Sequence, residues 1–106
     1  MKKYNVFFNE FVKGEIFEIF EKYEFTKEGL GERFLEEFEK IVFYLENNPY
    51  SFRKVYIDFR RIFTEIFPYH IYYKIYEQKE EVEIFLVIYT GMNPKKAINI
   101  LKNTKQ

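Results

Sequence analysis

The sequence contains no cysteine and no tryptophan, and it has a single alanine, a single serine and a single histidine. The absence of cysteine excludes disulfides, thiolate metal sites and a thiol nucleophile. Ser51 and His70 belong to no recognisable nucleophile motif, and there is neither a glycine-rich phosphate loop nor a His-x-x-x-His pair. We therefore expect no cofactor and no metal site, because the glutamate spacing is typical of solvated helix faces.

Long uncharged runs are also missing. No stretch approaches the roughly 20 apolar residues that cross a bilayer, so we expect a chain without membrane contact. Met1-Lys2-Lys3 is not followed by the apolar run of a secretory signal. Together with the lack of cysteine, this start predicts a cytoplasmic protein.

Charge of one sign does not predominate. Seventeen Lys and Arg side chains balance seventeen Asp and Glu side chains, which argues against nucleic-acid binding by bulk electrostatics. We expect no direct sequence-specific binding to nucleic acid. The balance hides an asymmetry, since residues 1–52 carry a net charge of four negative and residues 53–106 a net charge of four positive. An anionic partner should therefore meet the second half.

Aromatic side chains are abundant, with 14 Phe and 10 Tyr among 106 residues. The length is too short for two independent cores, and no repeat or flexible linker divides the chain. We predict a single domain over residues 1–106 whose core is built from large flat side chains.

The first half has the periodicity of two helices. Residues 3–8 are extended and β-prone, and Asn9 is a plausible cap for the helix that follows. Its apolar stripe consists of Val12, Ile16, Ile19, Phe20 and Tyr23. Thr26 is expected to cap a second helix that Asn48-Pro49 ends, with the stripe Leu30, Phe34, Phe38, Ile41 and Leu45. The short connection predicts an antiparallel helical hairpin.

After Pro49 the apolar period changes to two. It predicts strands over 55–63, 69–76 and 82–89, the last with Val82, Ile84, Leu86 and Ile88 on one face. Asn93-Pro94 predicts the start of a short terminal helix. The fold class is therefore α+β: an N-terminal strand, a helical hairpin packed on a twisted antiparallel sheet, and a short C-terminal helix.

Five segments form a recognisable series along the chain. They are Gly29-Leu30-Gly31-Glu32-Arg33-Phe34-Leu35, Asn48-Pro49, Arg60-Arg61, Phe67-Pro68-Tyr69-His70-Ile71-Tyr72-Tyr73 and Asn93-Pro94-Lys95-Lys96. The series resembles the RelE/ParE toxin superfamily of type II toxin-antitoxin modules, and within it the plasmid-stabilisation, ParE-like branch. The resemblance implies a small toxin that is neutralised by an antitoxin whose C-terminal segment wraps across it.

The superfamily contains two activities, so the resemblance by itself leaves the function open. The RelE branch implies cleavage of messenger RNA in the ribosome, whereas the ParE branch implies inhibition of DNA gyrase by binding. The candidates for RelE-type catalysis are Arg60, Arg61, His70 and Tyr89. Of these, His70 corresponds to the first catalytic position of the RelE pattern, and Tyr89 stands where that pattern often has a histidine. Met92 stands where the RelE pattern has an arginine, and a thioether cannot hold a phosphate.

We therefore expect a ParE-like toxin that inhibits a macromolecular target such as gyrase by binding. Two alternatives remain open: a ribosome-dependent endoribonuclease that uses the candidates above, and a non-toxic family member that only binds antitoxin.

The alternation in the strands also predicts a partner-binding face. It places Tyr72, Tyr76 and Phe85 on the sheet face away from the helices, and an exposed aromatic face needs a cover. We expect the antitoxin or a second copy to cover it, with the partner-binding candidates Tyr72, Lys74, Tyr76, Phe85, Lys95 and Lys96. An antitoxin peptide is expected either there or in an apolar groove between the helical hairpin and the sheet.

Overall fold

The fold combines a helical hairpin, a five-stranded sheet and a terminal helix. In a computed structural model of the chain, which describes residues 2–104, strand β1 (Asn5–Phe8) precedes helices α1 (Glu10–Thr26) and α2 (Leu30–Asn47). Strands β2 (Lys54–Tyr56), β3 (Phe59–Phe63), β4 (Tyr69–Tyr76) and β5 (Glu81–Tyr89) follow, and α3 (Pro94–Lys102) ends the fold. The predicted α+β class and element order are confirmed.

The sheet has the strand order β1-β5-β4-β3-β2. Its four later strands form an antiparallel meander, for which the sequence predicted three strands, and β1 joins it by pairing parallel with the first half of β5. The mostly antiparallel sheet is therefore mixed. Asn9 ends β1 and caps α1, since its side chain accepts a hydrogen bond of 2.9 Å from the backbone N–H of Val12.

The prediction of a single strand over residues 55–63 is wrong, because this segment forms a hairpin of the two strands β2 and β3. The turn lies at Ile57 and Asp58, where Ile57 has a φ of 48°. That left-handed conformation is rare for a β-branched residue, so periodicity alone gave no sign of a turn there. The hairpin makes β2 a short edge strand with only three residues, which limits pairing with other chains.

A bulge in β5 changes which side chains face the helices. Tyr72 lies opposite Leu86, but Tyr73 lies opposite Ile84, so Phe85 is an extra residue between the two pairs. Beyond it the alternation is reversed, and Leu86 and Ile88 face away from the helices. The prediction that these two share a face with Val82 and Ile84 is therefore wrong, since one inserted residue exchanges the faces.

Both faces of the sheet are covered by the chain itself. On one face the helical hairpin buries a cluster that includes Phe34, Phe38, Ile71, Tyr73 and Val82. On the other face α3 packs through Ala97 and Leu101 against a second cluster, whose sheet members are Phe59, Tyr72, Phe85, Leu86 and Ile88. The central strands are thus buried on both sides.

The two helices of the hairpin approach each other closely at Gly31. A Cβ atom built on Gly31 would lie 2.5 Å from the carbonyl oxygen of Phe20, which no side chain can accommodate. The predicted cap Thr26 is wrong, since Thr26 is the last residue of α1. The start of α2 is instead capped by the carboxylate of Glu24, which accepts hydrogen bonds of 2.9 Å from the N–H groups of Gly29 and Gly31.

Two further carboxylates have displaced pKa values, in opposite directions. Glu77 accepts hydrogen bonds from Lys2 and from the hydroxyls of Tyr4 and Tyr50, and these donors lower its pKa to about 2. Glu15 on α1 is half-buried against β5, where the N–H of Val87 lies 3.5 Å from its carboxylate. Burial, aided by the nearby charge of Glu18, raises the pKa of Glu15 to about 7.

The close approach at Gly31 predicts opposite effects for two glycine substitutions. Gly31→Ala should lower the free energy of unfolding by about 2 kcal/mol, because the added methyl group must push the helices apart. Gly14→Ala is the matched control within α1, where an added Cβ meets nothing within 4 Å. It should raise the stability by about 1 kcal/mol through helix propensity. Urea unfolding followed by circular dichroism measures both, and equal effects would contradict the packing described at Gly31.

The raised pKa of Glu15 predicts a stability change between pH 4.5 and 7. Its folded pKa lies above the unfolded value, so the folded state binds the extra proton and loses stability as the pH rises through this window. Glu15→Gln should remove this loss and stabilise the protein at pH 8 by on the order of 2 kcal/mol. Glu77→Gln is the control, because a lowered pKa confines the pH dependence of this group to values below about 4.5, so its effect on stability should be constant between pH 5 and 8. Thermal unfolding against pH tests this, and parallel curves for wild type and Glu15→Gln would contradict it.

Candidate functional site

An apolar groove lies between the two helices of the hairpin, beside the end of β1. It has a volume of about 640 Å³ and is lined by residues of α1, α2 and the end of β1. The lining residues are Phe8, Lys13, Ile16, Phe17, Phe20, Leu35, Phe38, Glu39 and Val42. Phe17 is 57% exposed although its ring stacks on Phe20 with a centroid distance of 6.4 Å. An open groove with apolar walls is the kind of surface into which an amphipathic helix of a partner docks, so this groove is a candidate docking surface.

The groove exists because of the spacing of apolar residues along the two helices. Each helix places one stripe on the sheet, including Val12 and Ile16 on α1 and Phe34 and Phe38 on α2. Additional apolar residues, namely Phe17, Leu35 and Val42, flank these stripes and remain partly accessible. The apolar surface is therefore wider than contact with the sheet requires. This excess was present in the sequence but could not be assigned to a groove without the helix pairing.

The four catalytic candidates are divided between the two faces of the sheet. Residues directly opposite in antiparallel strands share a face. Arg60 pairs with Tyr73 on the helix side, and Arg61 pairs with Tyr72 on the side of α3. The two arginines therefore project to opposite faces, as consecutive residues of a regular strand do.

Arg60 is used within the fold. Its guanidinium donates to the carbonyl oxygen of Phe52 and lies 5.0 Å from the ring centroid of Tyr50. Tyr89 is also on the helix side, since it pairs with Tyr69 and its ring centroid is 6.3 Å from that of Tyr69. Neither residue is brought to the face that holds Arg61.

His70 and Arg61 lie on the same face of the sheet, the face on which α3 packs. His70 is half-buried, and its ring contacts Phe63 and Tyr72 at centroid distances of 6.1 and 6.4 Å. Burial lowers the pKa of His70, and the neighbouring charge of Arg61 lowers it further. The imidazole is therefore predominantly neutral at pH 7. The structure thus joins two of the four candidates, Arg61 and His70, and separates them from Arg60 and Tyr89.

The predicted partner-binding face is largely covered by α3. Tyr72 is 2% exposed and Phe85 is 8% exposed, so the expectation that they lie on an open aromatic face is wrong. The reason is the terminal helix, which buries Ala97 and Leu101 against them. Lys74 and Tyr76 are half-buried at the opposite end of β4, and Lys95 and Lys96 are exposed in the first turn of α3. A binding role for these residues stays a prediction.

Tyr76 also has a defined local environment. Its hydroxyl donates a hydrogen bond of 2.9 Å to Glu83, and the ammonium of Lys74 lies 5.4 Å from its ring centroid. Burial and the hydrogen bond to Glu83 raise the pKa of Tyr76 to about 12. The phenol is therefore neutral at physiological pH and is not a candidate base.

Glu37 is a buried carboxylate that the sequence reasoning missed. It is 8% exposed and accepts hydrogen bonds from three consecutive backbone N–H groups, those of Glu65, Ile66 and Phe67, at 2.6, 2.9 and 3.1 Å. It thereby holds the β3–β4 loop against α2. A signal was present, because Glu37 falls three residues after Phe34 and four before Ile41, within the apolar stripe of α2.

The part of the chain that the structure describes shows neither a metal site nor a membrane-spanning helix. Within residues 2–104, no group of three His, Asp or Glu side chains is placed to bind a metal ion. No described helix is both long and apolar enough to cross a membrane.

Comparison with known proteins agrees with the order of elements. A protein of the chromosomal ParDE TA system from P. aeruginosa has the same fold, with a TM-score of 0.70 at 12% sequence identity. The superposition covers 82% of this chain and 96% of that chain. At this identity the likeness concerns the fold alone. No curated protein matches the sequence significantly.

The sequence itself matches a protein family. The match extends over residues 6–94, from β1 to the first turn of α3, and the family is described as the ParE toxin of the type II toxin-antitoxin system, parDE. The matched region contains the helical hairpin, the whole sheet and the groove. The chain therefore belongs to the ParE toxin family of type II toxin-antitoxin systems.

Proposed function

We propose that this toxin arrests growth by binding a large target enzyme such as DNA gyrase, and that a cognate antitoxin neutralises it. The observation that carries the proposal is the division of the four catalytic candidates between the sheet faces. Cleavage of RNA needs an acid, a base and cations that converge on one phosphate. Arg60 and Tyr89 lie on the helix side, whereas Arg61 and His70 lie on the other side.

The remaining positions of the RelE pattern support the same reading. Met92 is 39% exposed after the end of β5 and supplies no charge where that pattern has an arginine. Arg60 is engaged by Phe52 and Tyr50, so moving it to a phosphate would break these contacts. Inhibition by binding requires no such convergence, because an exposed complementary surface is sufficient.

The surface for the target is proposed to include the start of α3. Lys95 and Lys96 are exposed there, and they belong to the half of the chain that carries the excess of positive charge. Asn93 caps this helix, with its side chain accepting a hydrogen bond of 2.9 Å from the N–H of Lys95. The cap fixes the direction in which the two lysines project. An anionic surface on the target would be complementary to them.

The antitoxin is proposed to bind the groove of the helical hairpin. Of the two expected sites, the aromatic sheet face is already occupied by α3, whereas the groove is open and apolar. An amphipathic helix placed in such a groove buries its apolar face.

Expression of the chain without its antitoxin distinguishes the possible activities. We expect growth arrest with DNA damage, and inhibition of purified gyrase by the purified chain. Primer extension on cellular messages should show no new 5' ends. New 5' ends within codons would instead identify a ribosome-dependent endoribonuclease, and unaffected growth would identify a family member that only binds antitoxin.

The proposed target surface predicts a charge-specific loss of toxicity. Lys95→Glu combined with Lys96→Glu should weaken growth arrest at least tenfold, measured as the inducer concentration required for arrest, because two attractive contacts become repulsive. Lys102→Glu with Lys79→Glu is the control, since it makes the same change in net charge at exposed positions elsewhere. Equal loss in both variants would show that only net charge matters and would contradict this surface.

A further inference from the structure

The groove of the helical hairpin has two charged residues among its nine lining residues. Lys13 lies on α1 and Glu39 lies on α2, so they occupy opposite walls. The other seven lining residues are apolar. An apolar groove is a poor discriminator between amphipathic helices, because apolar contacts depend little on sequence. These two charges are therefore the features of the groove that can distinguish partners.

The two charges lie at the same end of the groove. The helices are antiparallel and cross most closely where Gly31 meets Phe20. Lys13 is about 10 Å along α1 from Phe20, and Glu39 is about 12 Å along α2 from Gly31, at a rise of roughly 1.5 Å per residue. The far end is wholly apolar, with Phe17, Phe20 and Leu35.

Neither charge has a strong partner within the fold. Lys13 is paired with Glu10 at 3.1 Å, three residues earlier on the same exposed helix face. Such a pair contributes little and is readily exchanged. Among residues 2–104, no ion pair joins Glu39 to a cation. A bound helix can therefore engage both charges at small cost.

We propose that Lys13 and Glu39 determine which helix the groove accepts. The preferred segment carries an acidic side chain on the edge that faces α1 and a basic side chain on the edge that faces α2, on either side of an apolar stripe. This is the logic by which flanking charges choose partners in helical bundles. The inference rests on the proposed function of the groove as the antitoxin site, and it specifies the chemistry of the partner.

A helical segment fits this surface better than a second copy of the chain. A symmetric dimer would place the same patch on both sides of the interface. The patch is concave, and a concave surface does not fill a copy of itself. One additional helix between α1 and α2 fills the groove by packing its ridge between two others.

Two synthetic helical peptides of about two heptads test the proposal with the full-length chain. Both have Leu at the apolar positions. The mixed peptide has Glu along one edge and Lys along the other, whereas the basic peptide has Lys along both edges. The wild-type chain should bind the mixed peptide about fivefold more tightly, because the basic peptide places a lysine against Lys13. Isothermal titration at low salt measures both affinities.

Lys13→Glu should invert this preference, since both walls of the groove then become acidic. Lys40→Glu is the matched control, because it makes the same charge change on an exposed face of α2 outside the groove. Its preference should remain within twofold of the wild type. A circular dichroism melt verifies that each variant is folded.

Three outcomes would overturn the proposal. They are equal affinities of the wild type for both peptides, equal shifts for Lys13→Glu and Lys40→Glu, and self-association of the chain that Phe17→Asp abolishes. Growth arrest on expression is a separate readout, because peptide selectivity plays no part in it. A toxic chain without peptide selectivity would refute this inference alone, and a selective chain without toxicity would refute the proposed target activity alone.

Discussion

The structure depends on covering both faces of the two central strands. Tyr72 and Tyr73 are consecutive in β4, and each is buried, one under α3 and the other under the helical hairpin. Adjacent side chains of a strand point to opposite faces, so neither tyrosine can be buried without a layer on its own side. The bulge at Phe85 strengthens this requirement, because it directs Leu86 and Ile88 to the face of α3. A helix of nine residues thus covers one face of the sheet.

This arrangement limits where the molecule can meet its partners. Because α3 covers it, the sheet face that holds Tyr72 and Phe85 is part of the core and does not offer an exposed aromatic surface to other molecules. The surfaces that remain accessible include the groove of the helical hairpin, the exposed start of α3, and the corner of the sheet with Arg61 and His70. The first is apolar and the others are cationic. This separation fits a toxin that meets an antitoxin and a target through chemically different surfaces.

Several glutamates have roles that their solvated appearance in the sequence conceals. Glu24 caps α2, Glu37 holds the β3–β4 loop through three N–H groups, and Glu77 gathers Lys2, Tyr4 and Tyr50. Glu24 and Glu37 accept hydrogen bonds from backbone N–H groups that lack a backbone partner, whereas Glu77 accepts from three side chains. Glu15 is the exception, because burial beside β5 raises its pKa without a cation to compensate.

Sequence periodicity and capping residues identified α1, the end of α2, β4 and α3 because these features depend on neighbours along the chain. Asn9 and Asn93 cap the helices as predicted, and Asn48-Pro49 ends α2. The family resemblance also came from short local motifs. The hairpin turn at Ile57 was missed because its φ of 48° contradicts the preference of that residue.

The sequence by itself determined the fold class, the helical hairpin and the family, since all three follow from apolar periodicity, capping residues and short motifs within local segments. Only the tertiary structure decided that α3 covers Tyr72 and Phe85, that Arg60 and Arg61 serve different faces, and that an apolar groove remains between the helices. The physical reason is that strand register, a one-residue bulge and helix pairing join residues far apart in the chain. The stability of each of these features depends on the residues that pack against it in the fold rather than on its neighbours in the sequence.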